Sequence, residues 1–244
     1  MDLSAQDLER LAARLDTLTP TQVSQVRESL VSETLRRCAE DGLFWLRYVS
    51  TLDEADPDAP VKPFPIDKDY VRLLWQILAT ENRVVVAKSR QMIVSWLIAA
   101  FCVWYARFKP HQAVYWQTQD WADAASKVCQ AEGSAAGRCQ FIETHLPEWM
   151  RLEAKWQDGC MTYSNGSFIQ AVAGGADKIR GKVGSLIVED EFAKQQEARG
   201  VWATIAPIAH EKVKIFVIGT PNGSDNQFAT LWHGRDLALG SEIR

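Results

Sequence analysis

Three nearly continuous apolar runs constrain the fold of this chain more than any other feature. They span residues 83–87, 185–188 and 213–218 and consist mainly of Val, Ile, Leu and Phe. Runs of this kind are typical of parallel strands in a sheet that helices cover on both faces. Helical patterns separate the runs, among them an apolar stretch at 96–108. The sequence therefore predicts an α/β fold, a three-layer sandwich around a mainly parallel central sheet.

Other segments show the periodicity of a helix or of short strands. They are 66–80 (helix), 113–116 (strand), 120–138 (helix) and 152–172 (three short strands). Within the last segment, Asp158-Gly159 and Asn165-Gly166 predict hairpin turns, because both dipeptides favour the backbone of tight β-turns.

The N-terminal part of the chain predicts helices without strands. Leu8, Leu11 and Leu15 stand at helical spacing within 4–17, and a second helix is expected from Pro20 to about residue 41. A loop rich in Pro and Asp follows. We therefore expect an N-terminal helical region at 1–58 and a main domain at 59–244.

The charge and cysteine content exclude several classes of protein. The net charge is −4, whereas proteins that hold nucleic acid on their own are usually basic, so any DNA contact should be local, transient or shared between subunits. The 5 cysteines are scattered and form no CxxC pair, which favours reduced thiols in a cytoplasmic compartment. No apolar run is long enough to span a membrane.

The first apolar run ends in the polar loop KSRQMIVS, from Lys88 to Ser95. A phosphate site needs backbone N–H groups at a helix N-terminus, a cation, and a hydroxyl for Mg²⁺. The usual pattern, GxxxxGK[ST], ends in the same hydroxyl, but Ile93 and Val94 stand where Gly and Lys are expected. Lys88 could reach the phosphates from the front of the loop, and Arg90 adds a second cation. The alternative is an ordinary strand-to-helix connection.

The second run ends in the acidic residues Glu189, Asp190 and Glu191. At such a strand end, one carboxylate can help hold Mg²⁺ and the next can activate water. Adjacent carboxylates repel, and a bound cation would relieve that repulsion. The alternative is a solvated turn whose acids favour a helix N-terminus. Asp190 and Glu191 are the expected pair, because apolar residues follow directly, and Glu189 is the alternative first member.

The third run ends in Gly219-Thr220-Pro221-Asn222-Gly223. A small hydroxyl at a strand tip can sense a γ-phosphate, although a plain Pro-Asn-Gly turn is the alternative. Each of the three signals is weak alone. Together they follow strand ends, where open α/β sheets bind ligands, in the order of a nucleotide-hydrolysing site.

These motifs resemble the ATPase domain of phage DNA-packaging terminase large subunits, over about residues 60–235. The resemblance rests on KSRQMIVSW as a variant Walker A loop, on the tripeptide at 179–181, on LIVEDEFA as Walker B and on GTPNG as the coupling motif. Several family members carry the loop lysine at the front. The resemblance implies a P-loop NTPase fold of the RecA/ASCE-like type, with ATP and Mg²⁺ as cofactors.

The resemblance also implies a role for each motif residue. Lys88 would contact the β- and γ-phosphates, and Arg90 would stabilise charge in the transition state. Ser95 and Asp190 would ligate Mg²⁺. Glu191 would activate the attacking water, and Thr220 would couple hydrolysis to movement. The residues expected to surround the phosphates are Lys88, Ser89, Arg90, Gln91, Met92, Ile93, Val94, Ser95 and Asp190.

Partners follow from the same resemblance: double-stranded DNA, the portal protein, the small terminase subunit, and a homo-oligomeric ring, expected to be a pentamer. The ring would work in the host cytoplasm, transiently at the portal vertex of the procapsid. The family's full-length protein adds a C-terminal nuclease, for which we expect no room here, as in an excised domain. One alternative is a helicase-like DNA translocase. Another is a non-catalytic assembly module on a degenerate P-loop scaffold, suggested by Ile93 and Val94.

Overall fold

A computed structural model describes residues 19–89, 92–208 and 213–234. Within these ranges, a seven-stranded sheet carries helices on both faces, and a separate two-stranded sheet lies nearer the N-terminus. The predicted α/β architecture around a mainly parallel central sheet is confirmed. The helix predicted at 4–17 lies outside the described residues.

The helices of the described residues, in chain order, are α1 (Pro20–Glu40), α2 (Gly42–Trp45), α3 (Asp69–Thr80), α4 (Val94–Phe108), α5 (Trp121–Lys127), α6 (Arg138–His145), α7 (Ala176–Ile179), α8 (Ala198–Ile205) and α9 (Gln227–Trp232). The strands are β1 (Ser50–Leu52), β2 (Val61–Pro63), β3 (Arg83–Ala87), β4 (Ala113–Gln117), β5 (Ala154–Gln157), β6 (Cys160–Tyr163), β7 (Phe168–Val172), β8 (Leu186–Glu189) and β9 (Lys214–Gly219). Short 3₁₀ turns occupy Leu46–Tyr48, Glu148–Met150, Phe192–Lys194 and Ala206–Ile208.

The order of strands in the large sheet places three predicted motifs side by side. The order is β3-β9-β8-β4-β7-β6-β5. Strands β3, β9, β8, β4 and β7 are parallel to their neighbours in this group, whereas β6 is antiparallel to both β7 and β5. Strand β9 lies between β3 and β8, and the three strands are parallel. The segments that follow them therefore leave the sheet at the same edge. This edge is the carboxyl edge of the sheet.

Side chains alternate between the two faces of the sheet, and each face is the base of one hydrophobic cluster. Val84, Val188 and Ile218 pack on the side of α4, which is itself almost wholly buried. Val85 and Val217 pack on the other side, against α8 and α9. We refer to these sides as the α4 face and the α8 face.

The N-terminal helices join the same core. Thr19 caps α1 through a capping box with Gln22, and Pro20 occupies the first turn as expected. Cys38 and Trp45 are fully buried in the cluster that also contains α4. The division of the chain at 58/59 stays a prediction.

The long helix predicted at 120–138 is wrong. Helix α5 ends at Lys127, and α6 begins only at Arg138. A Cβ atom on Gly137 would lie 2.6 Å from the backbone nitrogen of Cys129, so the chain doubles back closely there. A straight helix cannot make that approach, although the alanine-rich sequence favours one.

The two predicted hairpin turns are confirmed. The hairpin turns contain Gly159 and Gly166 with φ of 74° and 81°, which glycine adopts without strain. The five cysteines are all free. Among the described helices, none has the length and apolar character that crossing a bilayer requires.

Candidate functional site

The three strands end close together at the carboxyl edge, β8 two residues before β3 and β9. Ala87 at the end of β3 is paired with Gly219 at the end of β9, and the N–H of Lys88 donates to the carbonyl oxygen of Gly219 at 3.0 Å. Glu189 at the end of β8 is paired with Val217. Lys88, Asp190 and Thr220, which follow the three strands, are therefore brought to one place, as their spacing predicts.

Lys88 and Glu191 meet across the intervening strand. Neighbouring strands lie about 4.8 Å apart, so β3 and β8 are separated by roughly 10 Å. The side chains of Lys88 and Glu191 together bridge this gap, and Nζ of Lys88 lies 3.0 Å from Oε1 of Glu191. Only 11% of the Lys88 side chain and 22% of the Glu191 side chain is exposed, which shields the pair from solvent. A mobile cation thus stands beside a carboxylate at the edge where such sheets bind ligands.

Glu191 has a strained backbone, with φ 51° and ψ 32°. Left-handed conformations of this kind are uncommon for residues other than glycine and cluster at functional sites. The Oδ1 of Asp190 accepts the Glu191 N–H at 2.9 Å and fixes the turn. We call this turn, residues 190–191, the elbow. It directs the carboxylate of Glu191 back across β9.

Two lysines determine the charge state of Glu191. Lys194 Nζ lies 2.8 Å from its Oε2, opposite the contact with Lys88. Burial alone would raise the pKa of Glu191, but the hydrogen bonds from Lys194 and Lys88 outweigh burial and lower this pKa below its ordinary value. The carboxylate is therefore ionised at neutral pH and able to accept a proton or a hydrogen bond from water.

Asp190 is fully buried and lies on the α4 face, like Val188 two residues before it. Its Oδ2 has no hydrogen bond among the described residues. Burial raises the pKa of Asp190, while the positive charges of Lys88 and Lys127 act in the opposite direction. A buried carboxylate oxygen without a partner is costly, and a hard cation would satisfy it.

Glu189 belongs to the other side of the sheet. It lies on the α8 face, is fully buried, and accepts a hydrogen bond at Oε2 from Gln195 Nε2 at 3.3 Å. Burial raises the pKa of Glu189 to about 8. The geometry separates Glu189 from Lys88 and favours Asp190 and Glu191 as the pair of acids at the candidate site.

The start of α4 differs from the usual phosphate loop at the position of the standard lysine. Val94, at the position of the standard lysine, is 3% exposed and packs in the core, so this position could not present a cation to a ligand. Ser95 stands in the first turn of α4, and its hydroxyl makes no hydrogen bond to any described residue. Ser89 and Met92 are exposed.

Two residues of the loop lie outside the described ranges, and two arginines close to the motifs in the sequence contact other side chains. Arg90 and Gln91 lie outside the described residues, so their predicted roles stay predictions. Arg138 places its guanidinium 5.5 Å from the centre of the Trp96 ring, next to Ser95 in the sequence. Arg180 pairs with Asp177 in its own helical turn, and both are exposed.

Sequence reasoning missed three residues at this edge. Lys194 contacts Glu191, and its spacing of three residues after an acid is a common signal for an ion pair in a helical turn. Gln195 contacts Glu189, just before the elbow, and the carbonyl oxygen of Asp190 within it. Gln117 ends β4 and donates to the carbonyls of Ala173 and Gly175 at 2.6 and 3.1 Å. As a polar residue at the end of an apolar strand, it could have been found by the rule applied to the other strands.

No protein-family model matches the sequence. Among solved structures, the large terminase of bacteriophage HK97 matches with a TM-score of 0.58 and 12% identity, covering 83% of this chain and 42% of that chain. A mutant ATPase domain of the large terminase from Thermus phage P74-26 matches with a TM-score of 0.49 and 17% identity, covering 67% of this chain and 69% of that chain. The large terminase of a thermophilic bacteriophage, in complex with ADP, gives a TM-score of 0.49 and 10% identity, covering 65% of this chain and 39% of that chain.

At these identities the likeness concerns the fold. The chain has the fold found in the HK97 large terminase over the matched residues, and the match spans 42% of that protein's length. The expected P-loop type of α/β sandwich agrees with this likeness.

Proposed function

We propose that the chain is a Mg²⁺-dependent ATPase, the motor domain of a phage DNA-packaging terminase large subunit. The observation that carries the proposal is the contact of Lys88 with Glu191 across β9, directly beside the buried Oδ2 of Asp190. A cation, a free carboxylate oxygen and an ionised acid at one sheet edge are the groups that phosphoryl transfer to water needs. The fold shared with the HK97 large terminase supports the same function.

The donor atoms at this edge fit Mg²⁺. Asp190 Oδ2 and the hydroxyl of Ser95 are hard oxygen ligands on the same face of the sheet. In the described residues no group of three or more His, Cys, Asp or Glu could hold a metal ion. Nucleotide-bound Mg²⁺ needs only one or two protein oxygens, because phosphates and water supply the others. When bound, this ion would shield the charge of the phosphate oxygens.

The protein side chains would then perform three tasks. Lys88 would leave Glu191 and bind the β- and γ-phosphates, because a phosphate carries more negative charge than one carboxylate. Glu191, held by Lys194 and the strained elbow, would orient the attacking water and accept its proton. Thr220, at the tip between β3 and β8, would respond to loss of the γ-phosphate. Arg90 keeps its proposed role in stabilising transition-state charge.

We also propose that this ATP hydrolysis drives translocation of double-stranded DNA into a procapsid. It rests on the sequence motifs and on the fold shared with the HK97 large terminase. A homo-oligomeric ring, with the portal protein and the small terminase subunit as partners, would reconcile DNA binding with a net charge of −4, since weak contacts from several subunits add. The host cytoplasm is the proposed location.

The chemical assignment is tested with Glu191→Gln in an ATP-hydrolysis assay with and without Mg²⁺. We expect kcat to fall by about a hundredfold or more, because a positioned general base typically contributes that much. Glu132→Gln, a change at an exposed acid, is the matched control and should hydrolyse ATP like the wild type. Unchanged turnover in Glu191→Gln would remove Glu191 from the mechanism. Absence of turnover in the wild type would favour a non-catalytic assembly module.

The front-lysine assignment is tested with Lys88→Ala in a nucleotide-binding titration. Loss of a charge-assisted contact to phosphate should weaken ATP binding by roughly tenfold to a hundredfold. Lys68→Ala, at an exposed lysine before α3, serves as control. Undiminished affinity in Lys88→Ala would disprove that Lys88 replaces the standard loop lysine.

A further inference from the structure

Gln195 is a buried polar residue directly behind the elbow. Only 8% of it is exposed. Its Nε2 donates to Oε2 of Glu189 at 3.3 Å and to the carbonyl oxygen of Asp190 at 3.2 Å. The side chain therefore links the end of β8 and the first elbow residue to the segment that follows the elbow.

The orientation of the Gln195 amide follows from its partners. The carbonyl oxygen of Asp190 can only accept a hydrogen bond, so the amide nitrogen has to face it. A flipped amide would place two acceptors against each other at the Asp190 carbonyl oxygen. The two hydrogen bonds consequently require a donor at this position.

The elbow needs such a restraint because its backbone is strained. A residue other than glycine in the left-handed region persists only where the surrounding structure holds it. The Glu191 N–H bonds to Asp190 Oδ1, and the Lys194 N–H bonds to the Glu191 carbonyl at 2.9 Å. Both of these bonds are local, since they join residues between 190 and 194 only. Gln195 fixes the turn to the end of β8, and β8 is held in the sheet by β4 and β9.

Gln195 contacts the elbow from the α8 face of the sheet. Its partner Glu189 lies on the α8 face, whereas Lys88 and Asp190 belong to the α4 face. A nucleotide held by Lys88 would consequently lie across the sheet from Gln195. Any effect of Gln195 on hydrolysis would have to pass through the positions of the elbow residues, Asp190 and Glu191.

We propose that Gln195 is a positioning residue, whose two hydrogen bonds hold the Asp190–Glu191 elbow in the geometry that aims the Glu191 carboxylate at the attacking water. This inference rests on the proposed ATPase function. It assigns a role to a residue that no motif of the sequence marks.

The experiment compares Gln195→Met, which keeps the side-chain volume and removes both hydrogen bonds, with Gln195→Ala. Gln196→Ala, at the exposed neighbouring glutamine, is the matched control. We expect both Gln195 variants to lower kcat by about tenfold, the value of one to two lost hydrogen bonds, and to leave KM for ATP within about twofold. Gln196→Ala should match the wild type. Circular dichroism at the assay temperature confirms that each variant is folded.

The kcat and KM values decide between positioning and a general structural role. An unchanged kcat in Gln195→Met would overturn the proposal. So would a rise in KM equal to the fall in kcat, because that result would mean that Gln195 supports nucleotide binding instead.

A second measurement does not depend on hydrolysis. The hydrogen exchange rate of the Glu191 amide, followed by NMR without nucleotide, should rise by roughly tenfold in Gln195→Met, because the elbow opens more often. An unchanged exchange rate would overturn the proposal even if the wild type hydrolyses ATP. Faster exchange together with a wild type that fails to hydrolyse ATP would support the role of Gln195 in holding the elbow, and would reject the ATPase function separately.

Discussion

The two ends of strands β9 and β8 bury charge in opposite ways. At the amino end, Lys214 donates to the carbonyls of Ala79 and Glu81 at 3.1 and 2.7 Å, so its ammonium group closes the end of α3. At the carboxyl end, Asp190 is buried with an oxygen left without a partner among the described residues, next to the strained Glu191. A buried charge whose partners belong to the fold has a structural role. A buried carboxyl oxygen without a partner destabilises the fold, and such groups mark functional sites.

The largest expected loss of stability comes from Phe192→Ala, which removes a buried side chain at the carboxyl end of the sheet. Phe192 follows the elbow directly and is fully buried on the α8 face. We expect the free energy of unfolding to fall by about 3–5 kcal/mol. Because Phe192 also fixes the elbow, kcat of the folded fraction should fall by roughly tenfold or more, as small misplacements of a catalytic group reduce rates strongly.

Ile215→Ala, at the amino end of the same cluster, provides the comparison. Ile215 is 1% exposed, and its truncation should cost about 2–5 kcal/mol without changing kcat of the folded protein. Chemical denaturation and ATPase assays at low temperature measure both quantities. Equal losses of kcat in the two variants would show that the ends of the sheet do not differ in function.

The second prediction concerns the pH dependence of stability at the amino end. Burial, with a smaller contribution from the charge of Lys109, lowers the pKa of Lys214 from 10.5 to about 8, while Glu81 acts in the opposite direction. Between these two pKa values the unfolded chain binds more protons than the folded one, so the free energy of unfolding should rise with pH. The gain attributable to Lys214 is about 2–3 kcal/mol from pH 8 to 10.5.

Lys214→Met removes this titration and isolates its effect. Denaturation between pH 7 and 11 should show wild type gaining stability relative to Lys214→Met above pH 8, with little relative change below pH 8. Lys68→Met, at an exposed lysine, should follow the wild type throughout. A constant difference between wild type and Lys214→Met across this range would contradict the assignment.

Much of the carboxyl edge could be predicted because it depends on strand order and on strand ends. The apolar runs mark β3, β8 and β9, and Lys88, Asp190 and Thr220 each come within one residue of a strand end. Side-chain alternation would also have placed Glu189 and Asp190 on opposite faces. The sequence alone was therefore sufficient to decide which of the two acids is the candidate metal ligand.

Other features depend on contacts that the sequence does not reveal. The left-handed conformation of Glu191 has no glycine to signal it, and it is held by Gln195 through an atom-level contact. The break between α5 and α6 depends on Gly137 approaching Cys129, although the local composition favours a helix. In both places tertiary contacts override local preference.

The smallest expected effect is the most discriminating one, because it separates two neighbouring acids. Glu189→Gln should leave kcat within about twofold of the wild type, whereas Glu191→Gln lowers it by about a hundredfold or more. Glu189 lies on the α8 face, and its pKa of about 8 leaves it protonated at neutral pH, so a neutral carboxamide of the same shape replaces it closely. ATPase assays at pH 7 compare the two variants. A loss in Glu189→Gln as large as that in Glu191→Gln would make Glu189 part of the catalytic pair. It would also mean that the α8 face takes part in the chemistry.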